Sequence, residues 1–263
     1  LYPCQDGWVR VHANFAHHRD GALRLLGLSP EHASRSDAEA AIQTWRAQDL
    51  EQAAAERGLV IAALRSFEAW DAHPHAQAMA AQPLFSLERL GDAPPLALPR
   101  LEATQRPLNG VRVLDLTRIV AGPVATRTLA ALGADVMLVN GPHLPNISII
   151  AETSRGKRSS LLDLRAASDQ QAMDTLLQDA HVFIQGYRPG GLDALGYGPQ
   201  ALAHKRPGIV VVTLSAYGEV GPWSARRGFD SLVQTATGFN WAEGQAATAP
   251  GAAAKPKPLP VQI

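Results

Sequence analysis

The sequence predicts an α/β fold: a parallel-sheet domain preceded by a small α+β domain. Three observations carry this. Short apolar, β-branched runs (Val111–Leu116, Ala134–Val139, Ile209–Val212) alternate with helix-compatible stretches from Leu108 onward, the pattern of βαβ units. The first 90 residues instead mix one alternating strand with several short helices. Between them, Pro94-Pro95, Pro99 and Pro107 interrupt any regular element over 91–107, which reads as a semi-rigid linker. The expected division is therefore 1–90, linker 91–107 and 108–263.

In the first part, Gly7–His12 alternates apolar and polar residues and reads as a strand. Arg19–Leu28 reads as a helix with Gly27 near its end. Ser36, with Glu39 three residues on, reads as an N-cap with its acid, and that helix runs through Ile42 and Trp45. Leu50–Arg57 is a further helix stopped by Gly58, Leu59–Ala63 a short strand, and Ser66 a cap for a helix through Glu68 and Trp70.

In the second part, Val111–Leu116 suits a buried parallel strand. Pro123 fits a first helical turn, Val124–Leu132 the helix, and Gly133 the position after its end. Residues 141–145 form a loop, and 147–151 carry no clear period. Residues 154–158 are basic and read as exposed. Strands are expected at Ser160–Leu164, His181–Ile184 and, centrally, Gly208–Leu214, with a helix over Asp169–Gln178. Glu243–Ala254 reads as a mobile loop. The whole is a Rossmann-like sheet. Its ligands should gather at the strand carboxyl ends, where Thr117–Pro123, Gln185–Gly190 and Ser215–Gly218 ought to converge.

Composition narrows the function. Lys+Arg and Asp+Glu both number 24, for a formal net charge of +0, so neither nucleic acid nor an acidic membrane is an expected partner. The single cysteine, Cys4, excludes an internal disulfide and favours the cytoplasm. No apolar run reaches a membrane span of about 20 residues. The pairs His17-His18 and His73-x-His75 lack a completing ligand spacing, so no metal is expected. Gly156-Lys157 is no P-loop, because Ala151 and Arg158 replace the required Gly and Ser/Thr. Gly196-x-Gly198-x-x-Ala201 does not directly follow a strand, so it makes a poor dinucleotide fingerprint.

The wording of several blocks is familiar. Leu108–Val139, GKRSSLLDL (156–164), IQGYRPGGLDALGYG (184–198), VVTLSAYGEVGPW (211–223) and RRGFDSLVQTATG (226–238) resemble, in unbroken order, the family III CoA-transferases. That group includes the formyl-CoA and carnitine CoA-transferases and is related to α-methylacyl-CoA racemases. The first segment, with its "DGW" strand, resembles the family's smaller domain, standing before the sheet rather than after it.

The resemblance implies coenzyme A as substrate, no tightly bound cofactor, an interlocked homodimer, and transfer of CoA between an acyl-CoA and a free carboxylic acid. It places Arg118, Ile119, Val120 and Ala121 on a CoA-lining turn, Arg155 and Lys157 by the nucleotide end, Gly186, Tyr187 and Arg188 on a second turn, and Arg227 on a basic position. Lys and Arg neutralise the phosphates of such a ligand. Three positions depart from the pattern: Leu138 and Asn140 replace a basic residue and a Glu, and a basic residue is missing around Ala194.

The nucleophilic Asp of the family is expected just past the stretch Lys257–Ile263. Asp230 reads instead as the cap of a helix beginning near Ser231, and Asp163 as a strand-to-helix junction. Phe229 stands where the racemases carry a proton-transferring His, which favours transfer over racemisation. The other alternative is a non-catalytic CoA-binding or assembly module.

Overall fold

The computed structural model describes residues 1–98, 100–144 and 146–259. In chain order the elements are β1 (Tyr2–Cys4), β2 (Gly7–Val11), α1 (Ala16–Leu25), α2 (Arg35–Ile42), α3 (Ala47–Glu56), β3 (Ile61–Ala63), α4 (Phe67–Asp71), α5 (Pro74–Ala80), β4 (Arg112–Leu116), α6 (Ala121–Ala131), β5 (Asp135–Asn140), α7 (Ile150–Thr153), β6 (Arg158–Leu161), α8 (Ala167–Gln178), β7 (Val182–Gln185), α9 (Pro199–Lys205), β8 (Val210–Thr213), α10 (Asp230–Ala236) and α11 (Phe239–Ala246). The described residues form two compact units, one of residues 1–84 with 216–259 and the other of 85–215.

The first unit is built on an antiparallel sheet, β1-β2-β3. The run 60–63 is apolar throughout because both of its faces are covered. Ile61 and Ala63 pack with Val9 onto Leu50 and Ala54 of α3 and Ile42 of α2. Val60 and Ala62 point the other way, onto Leu232 and Ala236 of α10 with Tyr217 and Trp223. Residues 216–259, expected in the sheet domain, thus supply the second cover of the small sheet. A buried Arg65–Glu51 pair holds the far side of this layer at 2.5 Å, and Glu51 also accepts the backbone N–H of Ala63 at 2.8 Å.

The second unit is a five-stranded parallel sheet in the order β6-β5-β4-β7-β8. Alternate residues of β4 reach opposite faces. Leu114 and Leu116 join Met173 and Leu177 of α8, Leu202 of α9 and Phe183. Val113 joins Ala130 of α6, Val136 and Ile184. Helices therefore cover both faces. The strand order runs from β4 outward through β5 to β6, then reverses through β7 to β8, so the topological switch falls between β4 and β7.

Several elements depart from the sequence reading. The cap of α2 is Ser34, not Ser36: Ser34 Oγ accepts from Asp37 N at 3.2 Å, and Ser34 N donates to Asp37 at 2.8 Å. Strand β8 lies at the edge rather than the centre. Its β-branched run hides a one-sided cover, with Val210 54% exposed and Val211 packed inward. β6 begins earlier than expected, at Arg158, and 147–151 lead into the single turn α7. Residues 243–246 belong to α11. Asp230 is the first residue of α10 and accepts from Gln234 Nε2 at 2.6 Å. Pro260–Ile263, part of the stretch matched to the family's nucleophile-bearing strand, lie outside the described residues.

Candidate functional site at the strand ends

The site is built at the switch point. Leu116 of β4 is paired with Gln185 of β7 in parallel register, so the turns that follow leave the sheet side by side. A Cβ placed on Gly186 would stand 3.9 Å from Thr117 Cα. Arg118 and Tyr187 interact electrostatically across this seam. The structure therefore brings Arg118, Ile119, Val120 and Ala121 together with Gly186, Tyr187 and Arg188 on one rim.

A buried carboxylate shapes the first turn. Asp115 is 0% exposed. One of its oxygens accepts from Thr117 N at 2.9 Å and Thr117 Oγ1 at 2.5 Å; the other accepts from Thr126 Oγ1 at 2.5 Å and Lys157 Nζ at 2.9 Å. The Lys157 ammonium also donates to Pro123 O at 2.9 Å and Thr126 Oγ1 at 2.7 Å. Four strong bonds to one desolvated carboxylate tie β4, α6 and the segment before β6 into a single geometry. Gly122 fits because a Cβ there would come within 2.4 Å of the Thr117 side chain.

Out of this anchor the chain makes a strained turn. Ile119 has φ 73°, a left-handed conformation that a β-branched residue rarely adopts. Strain of this kind costs on the order of 1–3 kcal/mol and clusters at ligand-binding turns. Immediately after it α6 begins, and no side chain caps its N-terminus. Its first N–H groups and its dipole face the rim, the arrangement that favours an anion. On the neighbouring turn, Gln185 Oε1 accepts from Tyr187 N at 2.7 Å. Burial pushes the Tyr187 phenol above its usual range and the Arg118 guanidinium below its own. Arg188 is exposed.

Beside these turns lies a cleft of about 220 Å³ over the ends of β4, β5, β6 and β7. Leu116, Val139, Leu164 and Tyr187 give it an apolar floor, and Asn140, His143, Asp163 and Arg165 its polar edge. Asp163 binds Arg165 in a two-point pair at 2.8 and 2.9 Å and meets His143 Nε2 at 2.9 Å. These edge residues were not selected from the sequence as ligand contacts. The rule that found the first two turns would have found them, since they follow β5 and β6 of the same parallel sheet.

Two predicted contacts, Lys157 and Arg155, have surroundings the sequence did not show. Lys157 does not belong to an exposed basic block; its side chain is 1% exposed and its charge is spent on Asp115. Gly156 packs beside Ala130 in the last turn of α6. Arg155 is 73% exposed and paired with Glu152 at 3.0 Å, which also pairs with Arg127 of α6. Arg227 belongs to the first unit, beside Gly58, as do residues 216–218, expected on the rim. The His73/His75 pair has structural bonds: His75 donates from Nε2 to Tyr217 O at 2.7 Å and accepts at Nδ1 from Trp223 N at 3.1 Å, and His73 caps α5. Burial pushes the Cys4 thiol up, which opposes nucleophilic use.

A doubly wound parallel sheet with a cleft and a bare helix N-terminus at its switch point is the architecture of proteins that hold phosphate-bearing ligands. Residues 108–257 match the model of CoA-transferase family III, and the chain belongs to that family. It is 32% identical over 264 residues to an acyl-CoA transferase of Gibberella moniliformis, covering 93% of this chain and 46% of that protein. It is 32% identical over 149 residues to succinyl-CoA:glutarate CoA-transferase of Mus musculus, covering 52% and 34%. Among solved structures it resembles a hypothetical protein from Mycobacterium tuberculosis (33% identity, TM-score 0.51, 60% of this chain and 46% of that one). A CAIB/BAIF family protein from Brucella suis gives 28% identity, TM-score 0.51, and coverage of 60% and 44%. The chain spans less than half the length of these relatives. No helix of the described residues is long and apolar enough to cross a membrane.

Proposed function

We propose that this chain supplies the CoA-holding part of a family III CoA-transferase, which moves CoA from an acyl-CoA thioester to a free carboxylic acid. The observation that carries this reading is the shared rim: a strained, buried-carboxylate-anchored turn after β4 lies beside the turn after β7, with a bare helix N-terminus between them and a cleft alongside. Arg118, Ile119, Val120, Ala121, Gly186, Tyr187 and Arg188 are the direct CoA contacts in this reading. Lys157 acts through Asp115, by fixing the turn. Arg227 is retained as a contact by resemblance. The apolar cleft with its Arg165 edge suits the adenosine end of the ligand.

The chemistry follows the family pattern. An enzyme carboxylate attacks the donor thioester carbonyl, the C–S bond breaks, CoA departs as thiolate, and a mixed anhydride remains on the enzyme. The thiolate attacks the enzyme's own acyl carbon, releasing the donor acid and leaving an enzyme–CoA thioester. The acceptor acid repeats these steps in reverse. Covalent capture divides one difficult exchange into easier steps. No residue of this chain is assigned as that carboxylate. An interlocked homodimer and a cytoplasmic location complete the proposal.

The test is CoA exchange between acyl-CoAs and free dicarboxylates by the full-length protein, with CoA titrated calorimetrically against variants. Arg118→Ala should weaken CoA at least about tenfold, the loss of one charge-assisted contact, while Arg155→Ala leaves affinity unchanged. Exchange of the α-proton without transfer of CoA would replace this reading with racemisation.

A further inference from the structure

The first unit contains a cleft of about 360 Å³. It lies between the start of β2, the head of α4, and α11 with the strap 254–256 that folds back on it. Its volume falls within the range of small-molecule sites, roughly 300–1,000 Å³. Its lining residues include the aromatic Trp8 and Trp241, the apolar Ala69 and Pro256, and the amide-bearing Gln48 and Gln245.

The charge is one-sided. Two cations, Arg65 and Lys255, line the cleft and no acidic side chain does. Arg65 is bound to Glu51, but Glu51 is shared with Arg226 at 3.7 Å, so this buried trio carries a net charge of +1. Lys255 forms no ion pair with any described residue. The wall bearing it is closely fitted. A Cβ on Gly244 would meet Lys255 O at 2.3 Å, and just past the strap Lys257 N donates to Asn240 O at 2.9 Å.

We propose that this cleft binds a small organic monocarboxylate with a flat, apolar body. The indoles and aliphatic walls take the body, the Lys255 ammonium takes the carboxylate, and the two amides select for further oxygen substituents. Arg65 is already engaged by Glu51, so the carboxylate is placed on Lys255. Such acids are the class that the proposed transfer consumes, but the binding claim stands on this cleft alone and is independent of CoA binding in the other unit.

Phenylacetate and its neutral isostere phenylacetamide are suitable probes, titrated into the intact chain by ligand-observed NMR and tryptophan fluorescence, with CoA titrated separately. Phenylacetate should bind, phenylacetamide about tenfold or more weakly, and Lys255→Met should erase that difference, the expected size of a charge-assisted contact. Trp241→Ala should weaken both probes. Equal binding of acid and amide to the unaltered chain, or unchanged affinities in Lys255→Met, would overturn the proposal whatever CoA does. Loss of CoA binding with phenylacetate binding intact would instead count against the transferase reading.

Discussion

Lys157 shows how a residue read as exposed in a basic run can be buried by the fold. From the sequence it stands in a basic run beside an expected phosphate site. In the fold its ammonium is buried against Asp115, Thr126 and Pro123 O. Removing one member of a buried pair leaves the other uncompensated, typically a loss of 3–5 kcal/mol. Lys157→Ala should therefore lower the unfolding free energy by about that amount, read from urea denaturation, and weaken CoA through the turn. A stable Lys157→Ala with only its CoA affinity reduced would return the lysine to direct contact. Gly122→Ala is a second test of this knot. Thr117 is held by Asp115 and cannot yield to a Cβ at 2.4 Å, so overpacking of about 1–3 kcal/mol is expected, read from thermal unfolding. The rim turns were legible because Arg118–Ala121 and Gly186–Arg188 follow strands. The burial of Lys157 was not, because it depends on Asp115, 42 residues away in the chain.

At the level of elements, the strands and most helices were visible in apolar periodicity, while their ends were set by contacts the sequence does not display. Two serines two residues apart both suit an N-cap; only Ser34 has the extended backbone, with ψ 171°, and a reciprocal partner in Asp37. Ser34→Ala should cost about 1 kcal/mol, and Ser36→Ala within about 0.5 kcal/mol, compared by denaturant unfolding. Reversal of that order would move the cap back to Ser36. Strand β8 illustrates the opposite limit. A β-branched run reads as buried on both faces, yet an edge strand with one covered face has the same composition, and only pairing with β7 alone distinguishes them.

For the whole molecule, buried imidazoles give stability a dependence on pH. His12 and His18 are 8% and 4% exposed, and His12 stacks on Phe229 at 3.9 Å. Burial lowers both from the usual 6.5 to about 4. The unfolded chain therefore binds more protons than the folded one between those values. Their contribution is complete above about pH 6.5 and is lost as pH falls toward 4, by at most on the order of 3 kcal/mol for each ring. The denaturation midpoint should decline over that interval and flatten in His12→Leu/His18→Leu; a level profile in the unaltered chain would refute neutral burial. The return of the chain to the first unit at residue 216 was not legible, because residues 216–259 carry no sign that Leu232 and Ala236 belong over Val60 and Ala62.

That sandwich has a consequence for synthesis. The ribosome makes β3 long before α10, with the entire parallel sheet produced in the interval. Through all of that time the nascent small sheet shows a naked greasy side to the cell. Chaperones that bind such surfaces should linger on chains arrested before Asp230 and leave once Ala236 has cleared the exit tunnel.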